Sequence, residues 1–258
     1  MNPTVYGPAF AVALFIGMLL TMEAGYRLGS RRRKRDPEGA QAGIGAVNGA
    51  VFGLLGLLVA FTFSGAATRF DERRHLIVEE ANCIGTAWLR VDLLPVDEQP
   101  GIRDLFRRYL DSRLETYQMA MDIEGAEAEY AGSVRLQNQI WQRAVAACEV
   151  KQDSATKALV LGALNAMIDI STTRVAATRI HPPVVIFSLL FGLGLGCSFL
   201  AGYGMAGGKT RNWTHKVGFA GVLALSVYVI IELEYPRLGL IRVDATDQLL
   251  LDLRKSMD

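Results

Sequence analysis

The chain has 258 residues, 51% of them hydrophobic, with 27 basic and 26 acidic side chains. A soluble domain has a similar average, but here 14 of the basic and 17 of the acidic residues fall between Arg69 and Pro182, and long stretches on either side carry almost no charge. This distribution excludes a soluble domain with one uniform core, and the near balance of charge gives no support to nucleic-acid binding.

A bilayer span needs roughly 20 mostly apolar residues to cross about 30 Å of hydrocarbon. Four windows meet that length: Ala9–Leu28, Gly43–Phe63, Val184–Tyr203 and Val217–Leu233. A cleavable secretory signal carries its basic residues ahead of a short apolar core. Here Met1–Pro8 has none, and the run Arg31, Arg32, Arg33, Lys34, Arg35 follows the apolar window, so the first window reads as a retained span. Basic residues resist translocation, which puts the loop Gly29–Ala42 on the cytoplasmic side. The loop Ala206–Lys216, with Lys209, Arg211 and Lys216, falls on the same side when four spans are counted. The predicted topology in an inner (plasma) membrane therefore has the N-terminus, the central segment and the C-terminus outside the cytoplasm. Glu23 is expected at the interface, paired with Arg27 one helical turn on.

From Gly43 to about Leu94 there is no proline. Val59, Phe63, Ala66, Phe70, Ile77, Ala81, Ile84, Trp88 and Val91 recur at helical steps of three, four or seven. They predict one helix of about 50 residues, near 75 Å long at about 1.5 Å per residue. Leu94 to Pro100 reads as a turn. A second bundle helix, about Gln99–Met121, aligns Ile102, Leu105, Phe106, Tyr109, Leu110, Leu114 and Tyr117. A third, about Ala126–Val150, uses Tyr130, Val134, Ile140, Trp141, Val145 and Cys148. A fourth, about Ser154–Ile180, turns Leu159, Leu164, Met167, Ile168, Ser171 and Val175 inward, and Pro182-Pro183 marks re-entry into the membrane. Short connections between long helices make an antiparallel bundle. The fold class is thus an all-α membrane protein, with four transmembrane helices and a central antiparallel helical bundle continuous with the second and third spans. The expected divisions are residues 1–64, 65–182, 183–234 and a tail at 235–258, in which Gly239–Val243 is the one stretch with strand character.

The sequence carries no motif for catalysis, and the enzyme reading finds no residues to stand on. Cys83, Cys148 and Cys197 have no metal or redox spacing and His75, His181 and His215 are scattered, so no metal and no cofactor is expected. Gly192-Leu-Gly-Leu-Gly196 lies inside an apolar span, where Gly192 and Gly196 read as a small-xxx-small packing pair rather than a phosphate loop. In the second span Gly45, Gly49 and Gly53 share a face, flanked by Asn48 and Gly56. Two readings stay open: close packing against a neighbouring span, or the lining of a pore about a symmetry axis, with Phe61 or Phe63 as a hydrophobic constriction. The pore-lining candidates are Gly45, Asn48, Gly49, Gly53, Phe61 and Phe63. Just beyond, Arg69, Arg73, Arg74 and Glu80 are candidates for a charged pore exit, the competing reading being a solvated face of ion pairs. Arg69 with Arg73, and Asp71 with His75, are each one turn apart.

Longer motifs carry a family resemblance. Gly53-Leu-Leu-Gly-Leu-Leu-Val-Ala-Phe-Thr-Phe-Ser64, Arg69-Phe-Asp-Glu-Arg-Arg74, Glu80-Ala-Asn-Cys-Ile-Gly-Thr-Ala87 and Leu89-Arg-Val-Asp-Leu-Leu-Pro95 resemble the bacterial bestrophin-like domain family. So do the Pro182-Pro183 entry, Pro236-Arg-Leu-Gly-Leu-Ile-Arg-Val243 and Leu251-Asp-Leu-Arg-Lys-Ser-Met257. The resemblance covers nearly the whole chain. It implies kinship with bestrophins, pentameric anion channels whose pore neck is lined by aromatic and aliphatic residues of the second span. One departure stands beside it: bestrophins keep the helical body in the cytosol, whereas the basic loops here place it outside. The expected function is a homo-oligomeric membrane protein that conducts small ions, with the lipid bilayer, further copies of itself and small ions as partners. The alternatives are a non-conducting sensor or partner-binding module and, more weakly, an enzyme with a lipid-like substrate.

Overall fold

The structure, a computed structural model, describes residues 3–35, 44–119, 122–206, 213–237 and 239–258. It is 89% helical, with no strand among the described residues. In chain order they form α1 (Pro3–Arg35), α2 (Ile44–Arg90), a 3-10 turn (Val91–Leu93), α3 (Gln99–Gln118), α4 (Ile123–Lys151), α5 (Ser154–Arg179), α6 (Val184–Met205), α7 (Trp213–Glu234) and α8 (Asp244–Lys255). Four helical stretches, Gly7–Arg35, Gly45–Leu93, Ser154–Met205 and Trp213–Glu234, are long and apolar enough to contain a membrane span. Residues 29–35 of the expected Gly29–Ala42 loop continue α1, whereas residues 36–42, and Lys209 and Arg211 of the second basic loop, lie outside the described residues. Contacts divide the chain into two compact units, Met1–Arg69 with His181–Leu240 and Phe70–Ile180 with Ile241–Asp258.

The first unit is built on α1. Leu14, Met18 and Met22 recur every four residues and are buried, and Gly25 and Gly29 continue the same stripe. A Cβ on Gly25 would run into the backbone carbonyl of Phe199. A Cβ on Gly202 would run into that of Met22. Glycine therefore sets the approach of α1 to α6 from both sides, and the helices meet backbone to backbone. Gly192 and Gly196, expected to serve this purpose, have nothing within 4 Å of an added Cβ. Their spacing is right, but among the described residues no helix arrives on their side. On α7, Ala220, Leu223, Val227 and Ile230 complete the buried set. The last turn of α1 carries Arg32, Arg33, Lys34 and Arg35, which complement the negative end of the helix dipole. Arg27 donates to Glu23 at 2.9 Å, the expected pair, and Lys216 Nζ lies 3.4 Å from the same carboxylate.

In the second unit the distal part of α2 joins α3, α4, α5 and α8 about one core, in which Ile84, Phe106, Tyr109, Ile140 and Met167 are fully buried. Local chemistry sets the corners. Asp122 caps α4 by accepting from the Gly125 amide at 3.0 Å, and Asp153 caps α5 by accepting from Ala155 and Thr156 at 3.1 and 3.3 Å. Gln152 takes the left-handed conformation (φ 50°) that ends α4 and lets α5 start two residues later.

Two faces differ from expectation. On α4 the buried residues are Ser133, Gln137, Ile140, Ala144, Ala147 and, as expected, Cys148, whereas Val134 and Trp141 are half-covered. Polar side chains can turn inward there because they find partners: Ser133 Oγ is 2.8 Å from Ser112 Oγ, and Gln137 Nε2 donates to Tyr109 Oη at 3.0 Å and Ser171 Oγ at 2.8 Å. On α5, Leu159 is exposed. The tail also departs. Gly239–Val243 forms no strand, since the Leu240 amide is taken by the Glu232 carboxylate. The helix α8, which the sequence reading lacks, then buries Leu250 and, just after its end, Met257 in the bundle core.

Candidate functional site

The candidate site is one face of α2. At about 100° per residue, its residues sort into two opposed stripes. On one, Leu55, Ala66, Arg73, Ile77, Glu80 and Ile84 are buried, and Asn48, Val51, Thr62 and Arg69 are half-covered. On the other, residues spaced by three or four are all exposed: Ala46, Ala50, Gly53, Leu57, Ala60 and Ser64, then Thr68, Asp71, His75, Val78, Asn82, Thr86 and Leu89. The apolar window within Gly45–Leu93 is 11% buried, against 39% for that of α7. A face this long, apolar for its first half and mostly polar beyond it, with Val78 and Leu89 the apolar exceptions, matches neither lipid nor water over its whole length.

The predicted residues distribute over both stripes. Gly45, Gly49, Gly53 and Gly56 face open space, with nothing within 4 Å of an added Cβ. Among the described residues no other helix packs against them. Asn48 turns the other way, its amide nitrogen 3.9 Å from the Cβ position of Gly204. Phe61 and Phe63 are 67% and 45% exposed, but two residues of helix place them about 160° apart, with Phe63 on the glycine side and Phe61 beside Leu57.

Of the four charged candidates, only Arg74 lies on the uncovered side, 3.4 Å from Asp71. Arg73 is buried and donates to the carbonyls of Ala177 and Ile180 at 3.2 and 3.0 Å. Arg69 donates through Nε to Glu234 at 2.8 Å. That carboxylate is fully buried, and His181 Nδ1 stands 3.5 Å from it while its ring stacks on Tyr235 at 4.6 Å. Arg69, His181 and Glu234 thereby tie together the three points where α2, α6 and α7 reach the edge of the first unit.

Glu80 lies in the interior of the second unit. Its Oε1 accepts from Arg113 Nε at 2.7 Å, and its Oε2 accepts from Tyr117 Oη at 3.0 Å and from Arg174. Arg174 stands 3.5 Å over the Tyr117 ring and donates to Asp247, on α8, at 2.8 Å. Burial pushes the Glu80 carboxyl up, but the Arg113 and Arg174 guanidiniums beside it more than offset this and hold it below the usual carboxylate range. Burial pushes the Tyr109 hydroxyl up to about 12. The sequence reading missed these partners because they lie 33 and 94 residues from Glu80, and no local spacing joins them. Among the described residues no cluster of histidine, cysteine and carboxylate side chains could hold a metal ion.

Comparison with known proteins adds the lineage. No curated protein matches the chain. Two solved structures share its fold, a tryptophan-to-alanine and a tyrosine-to-alanine variant of a bacterial bestrophin homologue from Klebsiella pneumoniae. The first aligns with TM-score 0.67 at 14% identity, covering 95% of this chain and 98% of that one. The second aligns with TM-score 0.65 at 14% identity, covering 93% and 99%. At this identity the likeness is one of fold. The profile of the bestrophin-like domain matches residues 12–247, nearly the whole length, and the chain belongs to the bestrophin-like domain family.

Proposed function

We propose that the protein is a homo-oligomeric channel of the inner membrane, in which copies surround an axis lined by the uncovered stripe of α2 and pass small ions, anions by the bestrophin resemblance. One observation carries this reading: an uncovered stripe runs the length of α2 and turns from small and apolar residues to hydroxyl and charged ones, the sequence of surfaces that a path from hydrocarbon depth to bulk water requires. The open glycines Gly45, Gly49 and Gly53 allow neighbouring copies of α2 to approach closely. Phe61, beside Leu57, is the aromatic that narrows the axis, and Phe63 packs toward the next copy. Arg74 stands at the exit, while Arg69, Arg73 and Glu80 hold the helix in place from behind.

Purified protein in liposomes should release trapped chloride under an imposed gradient, and its detergent particle should show cyclic symmetry with α2 innermost. A symmetric or monomeric particle without ion flux would leave the non-conducting sensor in its place. The basic helix ends orient the assembly with both termini and the bundle outside the cytoplasm. A single cysteine introduced at the exposed Val96 is then expected to react with a membrane-impermeant maleimide in intact spheroplasts. Labelling only after lysis reverses the orientation.

A further inference from the structure

Within the first unit, α1 carries a stripe that no other described element covers. Val12, Ile16 and Leu20, four residues apart, are exposed aliphatic side chains, and the same face continues through Arg27, Arg31 and Lys34, also exposed. At about 100° per residue this face lies opposite the packed stripe that runs from Leu14 to Gly29. Depth along the helix separates its two halves. A Cβ on Gly29 would stand 2.7 Å from the Tyr203 carbonyl oxygen and 2.8 Å from the Ala206 Cβ, where α6 ends, so Ser30–Arg35 extend α1 beyond that level by about 9 Å. One turn before it, Tyr26 and Trp213 lie 4.7 and 5.1 Å from Lys216 Nζ. Tyrosine and tryptophan collect where hydrocarbon gives way to headgroups, so the basic residues begin at headgroup depth. Glu23, the only acid of α1, is already met by Arg27 and Lys216. The five basic residues from Arg31 to Arg35 make no hydrogen bond or ion pair among the described residues.

We propose that this stripe binds an anionic phospholipid, with an acyl chain along Val12, Ile16 and Leu20 and the phosphate held by Arg27, Arg31 and Lys34. The inference requires only that α1 span the bilayer, and it stands whether or not the protein conducts ions. The aliphatic part is about 12 Å long, most of the roughly 15 Å that the hydrocarbon of one leaflet occupies. Residues four apart are neighbours on a helix surface, so the guanidiniums of Arg27 and Arg31 converge on one headgroup, where their forked N–H groups match phosphate oxygens in pairs and Lys34 adds a point charge. A zwitterionic headgroup brings its own ammonium into this cluster and gains little from it, whereas a net negative lipid gains from every cation. A soluble acidic partner would have no use for an aliphatic stripe leading into the charges.

The test is competition between phosphatidylglycerol and phosphatidylcholine, with the same acyl chains and in equal amounts, for the full-length protein in neutral detergent. The readout is the ratio of the two lipid adducts in native mass spectra. Wild type should favour phosphatidylglycerol by about fivefold or more, the factor that one basic residue contributes near an anionic surface. Arg31→Gln with Lys34→Gln should lower that ratio by about fivefold or more, and Arg31→Glu with Lys34→Glu should lower it further. Arg108→Gln with Arg135→Gln, which removes two exposed arginines of the second unit, should keep the wild-type ratio. Glycerol phosphate in millimolar excess should leave the lipid bound, because it lacks the acyl chain. Equal adducts in wild type, a preference that survives both α1 variants, or the same loss in Arg108→Gln with Arg135→Gln overturns the site. Displacement by glycerol phosphate overturns its assignment to a lipid.

Discussion

Replacing Glu80 with alanine should destabilise the helical bundle more than any other single side-chain truncation in it. The substitution leaves Arg113, which is fully buried, without its carboxylate, and Arg113 Nη1 already lacks a hydrogen-bond partner among the described residues. Removing one member of a buried ion pair costs about 3–5 kcal/mol, a large share of the roughly 5–15 kcal/mol that holds a domain folded. The expected readout is a fall in the thermal midpoint of detergent-purified protein of about 10 °C or more. The double variant Glu80→Leu with Arg113→Met should recover much of this, because Arg174 keeps Asp247 as a partner and an apolar pair requires no desolvation of charge. A midpoint for Glu80→Ala within about 2 °C of wild type would show that the network carries no stability.

The same residue sets an acid response. Its carboxyl is held below its ordinary value in the folded protein, so its stabilisation is fully present above the unfolded-state value and is lost as pH falls through the lower folded-state one. The bundle therefore keeps this contribution at neutral and mildly acidic pH. Glu80→Gln, which cannot ionise, should be weaker at neutral pH and show a flatter loss on acidification.

The second large effect is expected at Gly202. A Cβ there meets the carbonyl oxygen of Met22, its carbonyl carbon at 2.6 Å and its Cα at 2.9 Å. These are backbone atoms of α1, so no rotamer change relieves the clash and the helices must separate. Inserting atoms into a packed interior costs typically about 1–3 kcal/mol and sometimes more, and a contact with backbone belongs at the upper end. Gly202→Ala should reduce the monodisperse peak in size exclusion of detergent extracts, and Gly202→Val should abolish it. Gly196→Ala, on the same helix but facing open space, should elute like wild type. Equal behaviour of Gly202→Ala and Gly196→Ala would remove the argument for a glycine-built crossing.

These two sites show where a sequence reading reaches and where it stops. Apolar run length and steps of three and four residues are local properties, so the spans, the long second helix and the helices of the bundle were legible. So was the pairing of Glu23 with Arg27, one turn apart on one helix. Gly192 and Gly196 have the same spacing as a packing pair, but whether a second helix comes to meet them is decided by the whole chain, and it meets Gly25 and Gly202 instead. The partners of Glu80 come from α3 and α5, and its charge alone suggested an exposed exit. On α2 both stripes carry charge and apolar residues, so the sequence alone does not say which one the fold covers. The helix α8 is short and follows a stretch with proline and glycine, and its core residues Leu250, Leu253 and Met257 gain meaning only once there is a bundle to receive them.

The buried carboxylate of Glu234 bears on how the protein is made. Chains are synthesised from the N-terminus, so Arg69 has left the ribosome 165 residues before Glu234 and His181 53 residues before it. The acid that is costliest to leave unpaired at the edge of a membrane is thus the last of the three to arrive, and it docks onto a cation already in place. The reverse order would strand it without a counter-charge while most of the chain was still to be made. A ribosome-stalled chain ending before Glu234 would present Arg69 and His181 as a waiting receptor, and closure of the first unit would coincide with the emergence of its final span.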